Sequence, residues 1–446
     1  MSKRLRKALL SNYRNGHSLK ISDISLPFHL LWRNNCPMVQ NNRRKIGLVL
    51  SGGGSRGAYE AGVILYLRKA LPKRLGRQIR FDVVTGTSVG AINASYMAAS
   101  AEAPESQGEI LCDAWKSLRI ESLLGLRDRD VWRASKLLLG RKIERTQSKT
   151  YRLGGLIRTD GLEQFVIKHI PWRSIRKNVL RGHIDAISIS ATHIGTGHSV
   201  VFIDQKKPLS KTWSDDPFTR HMRVAISPRH ALASAAIPVL FPAVKVQGAF
   251  YMDGGIRQNT PMSPAIRLGA DKLVVVTLRN KNKNPKSPTQ IKTDEDTVSK
   301  PLFLLGKTLG SLMLDRTEID LLRLQRFNSI VQAGRSAFGP DFDEKISNAL
   351  KGMGRGSLKN VDTVHIQPSV NISEIASDHV RSGEVSVSSR FARRLLDRLA
   401  KREPEKETDL LSYFLFDGSF AAKLIKQGYK DAEAMEEELV SLIEKE

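Results

Sequence analysis

Along residues 45–280 the hydrophobic pattern repeats one unit: a short apolar run, a glycine-rich or polar break, then apolar residues at helical spacing. The runs at 45–51, 81–86, 184–191, 199–203, 248–252 and 272–278 are predicted strands, with a late one near 362–367. Ala58 through Leu71 and Val89 through Ser100 read as helices. Strands alternating with helices predict an α/β fold, a mostly parallel central sheet covered by helices on both faces.

The pattern changes outside that span. Residues 119–158 read as a helical, basic insertion, with eleven Lys and Arg against four acids and Leu123, Leu124, Val131, Trp132 and Leu137 as apolar anchors. This is either a lid or lipid-docking element or a packed helical hairpin. A Lys-, Asn- and Pro-rich stretch, 280–301, reads as an exposed loop or linker. Leu302 to Gln332 and residues 409–446 carry helical spacing. The chain therefore divides into an extension over 1–44, a core over 45–280, a linker over 281–301 and a mainly helical C-terminal region over 302–446.

Three stretches carry candidate chemistry. Gly86-Thr87-Ser88-Val89-Gly90 stands between a strand and a helix, the setting of a nucleophile elbow. Gly86 and Gly90 let the two backbones approach, and Ser88 projects at the sheet's edge. Gly52-Gly53-Gly54-Ser55-Arg56-Gly57 likewise joins an apolar run to a helix. It satisfies a dinucleotide fingerprint, but that reading needs an acid about twenty residues on, and Arg68 to Arg80 has none. Three glycines suit an oxyanion hole better, where N–H groups converge on one negative charge. Asp253-Gly254-Gly255 follows the run Gly248 to Met252. By itself Asp-Gly is an ordinary turn, and the chain has others at Asp160-Gly161 and Asp417-Gly418.

Together, in this order, the three motifs resemble those of the patatin-like phospholipases, bacterial members included. The block Ala233 to Pro242, ahead of the aspartate, is similar to one in that family, as are, more weakly, Leu312 to Arg316 and Phe416 to Tyr429. The resemblance spans roughly 44–280. It implies a patatin-like three-layer sandwich and a lipid acyl hydrolase working through a serine-aspartate dyad. Ser88 would be the nucleophile, Asp253 the proton acceptor, and Gly52, Gly53 and Gly54 the oxyanion hole. Arg56, Gly57, Gly86, Gly90, Gly254 and Gly255 would support them. Arg56 either orders the glycine loop or meets an anionic headgroup. The same acyl-enzyme could be discharged by an alcohol, making an acyltransferase, and a catalytically idle lipid-binding regulator is a third reading.

Histidines give a separate check. A triad hydrolase built on a nucleophile elbow usually takes its histidine from a loop late in the chain, after the acid. After Asp253 only His365, in a strand-like run, and His379, in a polar helical or turn-like stretch, remain, and both read as structural. His183, His193, His198 and His230 lack motif context.

Charge then points to a surface. A net charge of +26 calls for an anionic partner. Aromatics at 6% and the absence of a recognition motif argue against nucleic acid, so an anionic membrane surface is expected with a lipid-ester substrate. Residues 1–45 hold ten Lys and Arg against Asp23 alone, a basic arm with neither a secretory signal nor a bilayer-spanning run. Val224 to Val246 is interrupted by prolines, Arg229 and His230. Two cysteines, Cys36 and Cys112, form no zinc spacing or disulfide framework. The expectation is a cytoplasmic or peripheral membrane protein without metal or cofactor.

Overall fold

Apolar side chains cover both faces of the first strand, β1 (Ile46–Leu50): Leu48 and Leu50 point into one hydrophobic cluster and Val49 into a second. Burial on both faces makes it an interior strand of a helix-covered sheet. The computed structural model describes residues 43–123, 152–155, 157–209, 213–214, 216–280, 316–352, 360–385 and 410–445. The expected basic arm, most of the 119–158 insertion, the 281–301 linker and the stretch 302–315 lie outside the described residues. Arg44–Glu446 form one compact unit.

After β1 come β2 (Val83–Thr87), β3 (Arg152–Leu153), β4 (Ala186–His193), β5 (Ser199–Gln205), β6 (Thr219–Arg223), β7 (Ala243–Val246), β8 (Ala249–Asp253), β9 (Lys272–Val276) and β10 (Asp362–Ile366). The described residues make one 10-stranded sheet in the order β10-β9-β1-β2-β4-β8-β7-β3, with β5 and β6 off this path. The pairs from β10 to β4 are parallel, whereas β8, β7 and β3 continue antiparallel.

Helices α1 (Gly57–Lys69), α2 (Val89–Ala99), α3 (Pro104–Lys116), α4 (Asp160–His169), α5 (Trp172–Arg181) and α6 (Pro228–Ser234) contribute buried residues to the larger cluster. On the opposite face α7 (Met262–Arg267) and α8 (Arg316–Phe338) pack Met262, Ala265, Leu321 and Leu324 against Val49, Val83 and Val275. The chain ends in α9 (Ile372–Arg381), α10 (Leu410–Phe414), α11 (Gly418–Glu433) and α12 (Glu436–Glu444). α11 lies close against α1: a Cβ on Gly62 would strike the Ile425 carbonyl, and one on Gly428 the Tyr59 carbonyl. The Tyr59 hydroxyl also donates to Asp431 Oδ2 at 2.9 Å.

The seven strands expected from the apolar runs are present within two residues at each end. β3, β6 and β7 were not expected. Thr219-Arg220-His221-Met222-Arg223 has Met222 as its one apolar residue and pairs only by lying beside β5, while β3 and β7 are too short to show alternation.

Candidate active site

Ser88 sits between β2 and α2 with φ 55° and ψ −124°, one of three non-glycine residues of positive φ among those described. Such a backbone costs about 1–3 kcal/mol and persists only where neighbours hold it. They do so closely. A Cβ on Gly86 would collide with the Gly90 carbonyl, and one on Gly90 with the Leu50 carbonyl. The Ser88 N–H donates to Ser234 Oγ at 2.8 Å, and that hydroxyl donates in turn to the Ser190 carbonyl at 2.6 Å.

Sheet register brings Asp253 to the same level. Thr87 pairs with Ser190 on β4, and Ala191, the next residue of β4, pairs with Asp253 on its other side. Because β8 runs antiparallel to β4, its last residue stops beside the turn that β2 enters. Gly254 is required there, since a Cβ would meet the Ser190 carbonyl. The Ser88 hydroxyl donates to Asp253 Oδ2 at 2.6 Å, and the Gly255 N–H donates to Oδ1 at 2.7 Å. A main-chain bond from Asp253 N to the Ala236 carbonyl at 2.8 Å and a side-chain bond from Thr192 Oγ1 to the Asp253 carbonyl at 2.9 Å fix its backbone. Burial pushes the Asp253 carboxyl up from the usual 3.8 to about 7, against the lowering effect of the Ser88 and Gly255 hydrogen bonds.

The glycine loop crosses in front of this pair. Of the three expected oxyanion donors, Gly52 is committed elsewhere: its N–H donates to the Asn259 carbonyl at 3.2 Å, and Asn259 Nδ2 donates back to the Gly52 carbonyl at 3.4 Å. Of the three glycine N–H groups, that of Gly52 is thus already engaged within the protein. Gly54, at φ +60°, lines the same pocket as Ser88. Gly57 permits close packing of Val89 and Trp115 on the start of α1. Arg56 is buried and donates to Ser412 Oγ, Ser373 Oγ and the Leu278 carbonyl, so it braces the glycine loop from within the protein.

Ser88 opens into an apolar pocket. Ile92 and Tyr96 of α2, Trp115 of α3, Leu162, Phe165 and Val166 of α4, Ile237, Phe241 and Phe416 line it. The matched sequence, set against known families, agrees with the patatin-like phospholipase model over residues 48–266. Residues 48–266 belong to the patatin-like phospholipase family. This patatin-like domain holds both Ser88 and Asp253.

Relatives are distant. The "cGAMP-activated phospholipase" of Pseudomonas aeruginosa is 27% identical over 214 residues, 48% of this chain and 53% of that protein. The "Lysophospholipase nte1" of Aspergillus terreus is 40% identical over 75 residues, 17% of this chain and 4% of that protein. Its counterpart from Aspergillus niger is 24% identical over 249 residues, 56% of this chain and 12% of that protein. The chain thus spans about half the length of the bacterial relative and a small fraction of the fungal ones. The crystal structure of VipD from Legionella pneumophila aligns with 89% of this chain and 67% of that one, at 13% identity and a TM-score of 0.31, too loose a likeness to carry an argument.

The histidines that the sequence singled out after Asp253 bond elsewhere. His365, on β10 and three strands from β2, has its Nε2 2.7 Å from Thr277 Oγ1. His379 is fully buried beside Asp417 at 3.1 Å and Glu384 at 3.3 Å. His230 belongs to a capping box with Ser227, and burial holds its imidazole down at about 4. His169, which the sequence did not single out, lines the pocket, with its Nδ1 2.9 Å from the Phe165 carbonyl one helical turn back. Ser234, Asn259 and Ser412 were also missed as supports of the site. Only Ser234 had a signal, its place in the Ala233 to Pro242 block.

Among the described residues no group of three or more His, Cys, Asp or Glu could hold a metal, and no helix is long and apolar enough to cross a membrane.

Proposed function

We propose that the chain is a lipid acyl hydrolase that cleaves phospholipid or related esters, with Ser88 as nucleophile and Asp253 as its base. The observation that carries this reading is the 2.6 Å hydrogen bond from Ser88 Oγ to Asp253 Oδ2 at the mouth of an apolar pocket. A carboxylate is ordinarily too weak a base for a serine hydroxyl. Desolvation that raises Asp253 to about 7 strengthens it to the range where it is still ionised near neutral pH and binds a proton well.

In this mechanism Asp253 takes the Ser88 proton as Oγ bonds to the ester carbonyl carbon. The carbonyl π electrons move onto oxygen, and the Gly53 and Gly54 N–H groups receive that charge. One such donor contributes roughly 3–4 kcal/mol in other hydrolases. Collapse of the tetrahedral intermediate breaks the ester C–O bond, and Asp253 returns its proton to the departing alcohol. Water, deprotonated by Asp253, then attacks the acyl-Ser88 ester, releasing fatty acid and restoring the serine. The apolar walls fit an acyl chain, and the family membership of residues 48–266 supports a lipid substrate.

A fluorophosphonate probe tests the nucleophile directly. Covalent labelling of Ser88 in the folded protein, absent from Ser88→Ala, is expected. Labelling confined to another serine contradicts the assignment.

A further inference from the structure

Residues 410–416 lie more than 140 positions beyond the family domain, yet they grip the glycine loop. The Arg56 guanidinium donates through Nε and Nη2 to Ser412 Oγ at 2.9 and 2.6 Å, and its centre lies 4.3 Å from that of the Tyr413 ring. Ser55 Oγ donates to the Ser412 carbonyl at 2.6 Å. The Tyr413 carbonyl occupies the space that a Cβ on Gly54 would need. Ser412 is itself fully buried.

The loop needs such anchors. Gly54–Arg56 form a single 3-10 turn without a side-chain cap, closed by a long 3.3 Å bond from Arg56 N to the Gly53 carbonyl. Short 3-10 turns have poor hydrogen-bond geometry, and glycines add backbone freedom. The directions of the Gly53 and Gly54 N–H groups are therefore set by what Ser55 and Arg56 hold outside the turn. Both hold Ser412.

We propose that Ser412, outside the patatin-like domain, is a positioning residue for the oxyanion loop, its hydroxyl acting through Arg56 while its main-chain carbonyl holds Ser55. The inference rests on the hydrolase reading above. Its consequence is that the patatin-like domain is incomplete for catalysis without the C-terminal segment. Ser88 and Asp253 have separate supports in Ser234, Ala236 and Gly255, so loss of the Ser412 hydroxyl leaves the pair in place.

The test is steady-state hydrolysis of a soluble short-chain ester by the full chain. Misplacing a reacting group by about 1 Å costs on the order of 10²-fold. Ser412→Ala is accordingly expected to lower kcat by roughly that factor with KM within about two-fold, and to leave the pH dependence where it stands in the wild type. Ser412→Thr, which keeps the hydroxyl, is expected to restore most of the rate. A folded Ser412→Ala with unchanged kcat overturns the proposal, because a serine that only packs would shift the melting temperature and not kcat. If Ser412→Ala fails to fold, Tyr413→Leu removes the ring under the guanidinium and asks the same question: a lowered kcat at constant KM supports the role, and an unchanged one overturns it. Wild-type protein that turns over no ester overturns the hydrolase reading and the positioning role together, whereas an active wild type with an unaffected variant overturns the positioning role alone.

Discussion

Asp253 concentrates the cost and the use of the site in one carboxyl. Its raised affinity for a proton means that the folded state favours the neutral form, so this group's contribution to stability is full below the ordinary carboxylate range and is lost as pH rises through about 7. At about 1.4 kcal/mol per pH unit, ionising it inside the fold costs up to about 4 kcal/mol. In the proposed mechanism activity runs the other way, because Asp253 must be ionised to act as the base. Hydrolysis is expected to rise with pH through a limb near 7, while Asp253→Asn, which resembles the neutral acid, melts several degrees above the wild type at pH 8, less so at pH 5, and close to it only below about pH 4. Parallel pH–rate and calorimetric measurements check both; an Asn variant no more stable than the wild type at pH 8 would remove the buried-charge argument. Ser88 and Asp253, which the structure joins by a hydrogen bond, stood out in the sequence because glycines flank them at fixed spacing. Ser234, Asn259 and Ser412 did not, because their contacts to the site cross 146, 207 and 356 positions of chain.

At the scale of elements, the helices that close over the site depend on close backbone approach. α1 starts from the glycine loop and packs on α11 where Gly62 and Gly428 let the two backbones meet. Gly62→Ala is expected to destabilise the protein by about 1–3 kcal/mol through overpacking, read as a lowered denaturant midpoint. It should reduce esterase activity only as the folded fraction falls; a midpoint equal to the wild type's would show that the interface yields easily. The strands nearest the site were legible because each is a bounded apolar run. The antiparallel approach of β8 was not, since Gly248 to Asp253 has the same composition whichever way it pairs. That direction decides the site, because it delivers Asp253 and not Ala249 to the level of Ser88.

For the whole molecule, charge and fold address different questions. The α/β class was legible from alternation of strands and helices, whereas the order β10-β9-β1-β2-β4 and the return of α10 to the glycine loop come from pairing between distant segments. The net charge of +26 motivates a proposal that the enzyme docks on anionic bilayers. Vesicle binding is then expected to grow with anionic lipid content and to weaken as salt rises, each basic residue near the surface contributing on the order of 1 kcal/mol. Deleting residues 1–42 should reduce that binding and spare hydrolysis of a soluble ester. Sedimentation with neutral and anionic vesicles decides it: equal binding to both, insensitive to salt, assigns the charge another role.

The central claim is that Ser88 and Asp253 together cleave lipid esters without a histidine. Purified wild type, Ser88→Ala, Asp253→Asn and His169→Gln, each incubated with mixed phospholipid vesicles and analysed for released products by mass spectrometry, test it most directly. The account predicts fatty acid and lysophospholipid from the wild type and from His169→Gln. It predicts nearly equal, severe loss in the Ser88 and Asp253 variants, because members of one catalytic unit fail together. Product from folded Asp253→Asn, with none from His169→Gln, would contradict it.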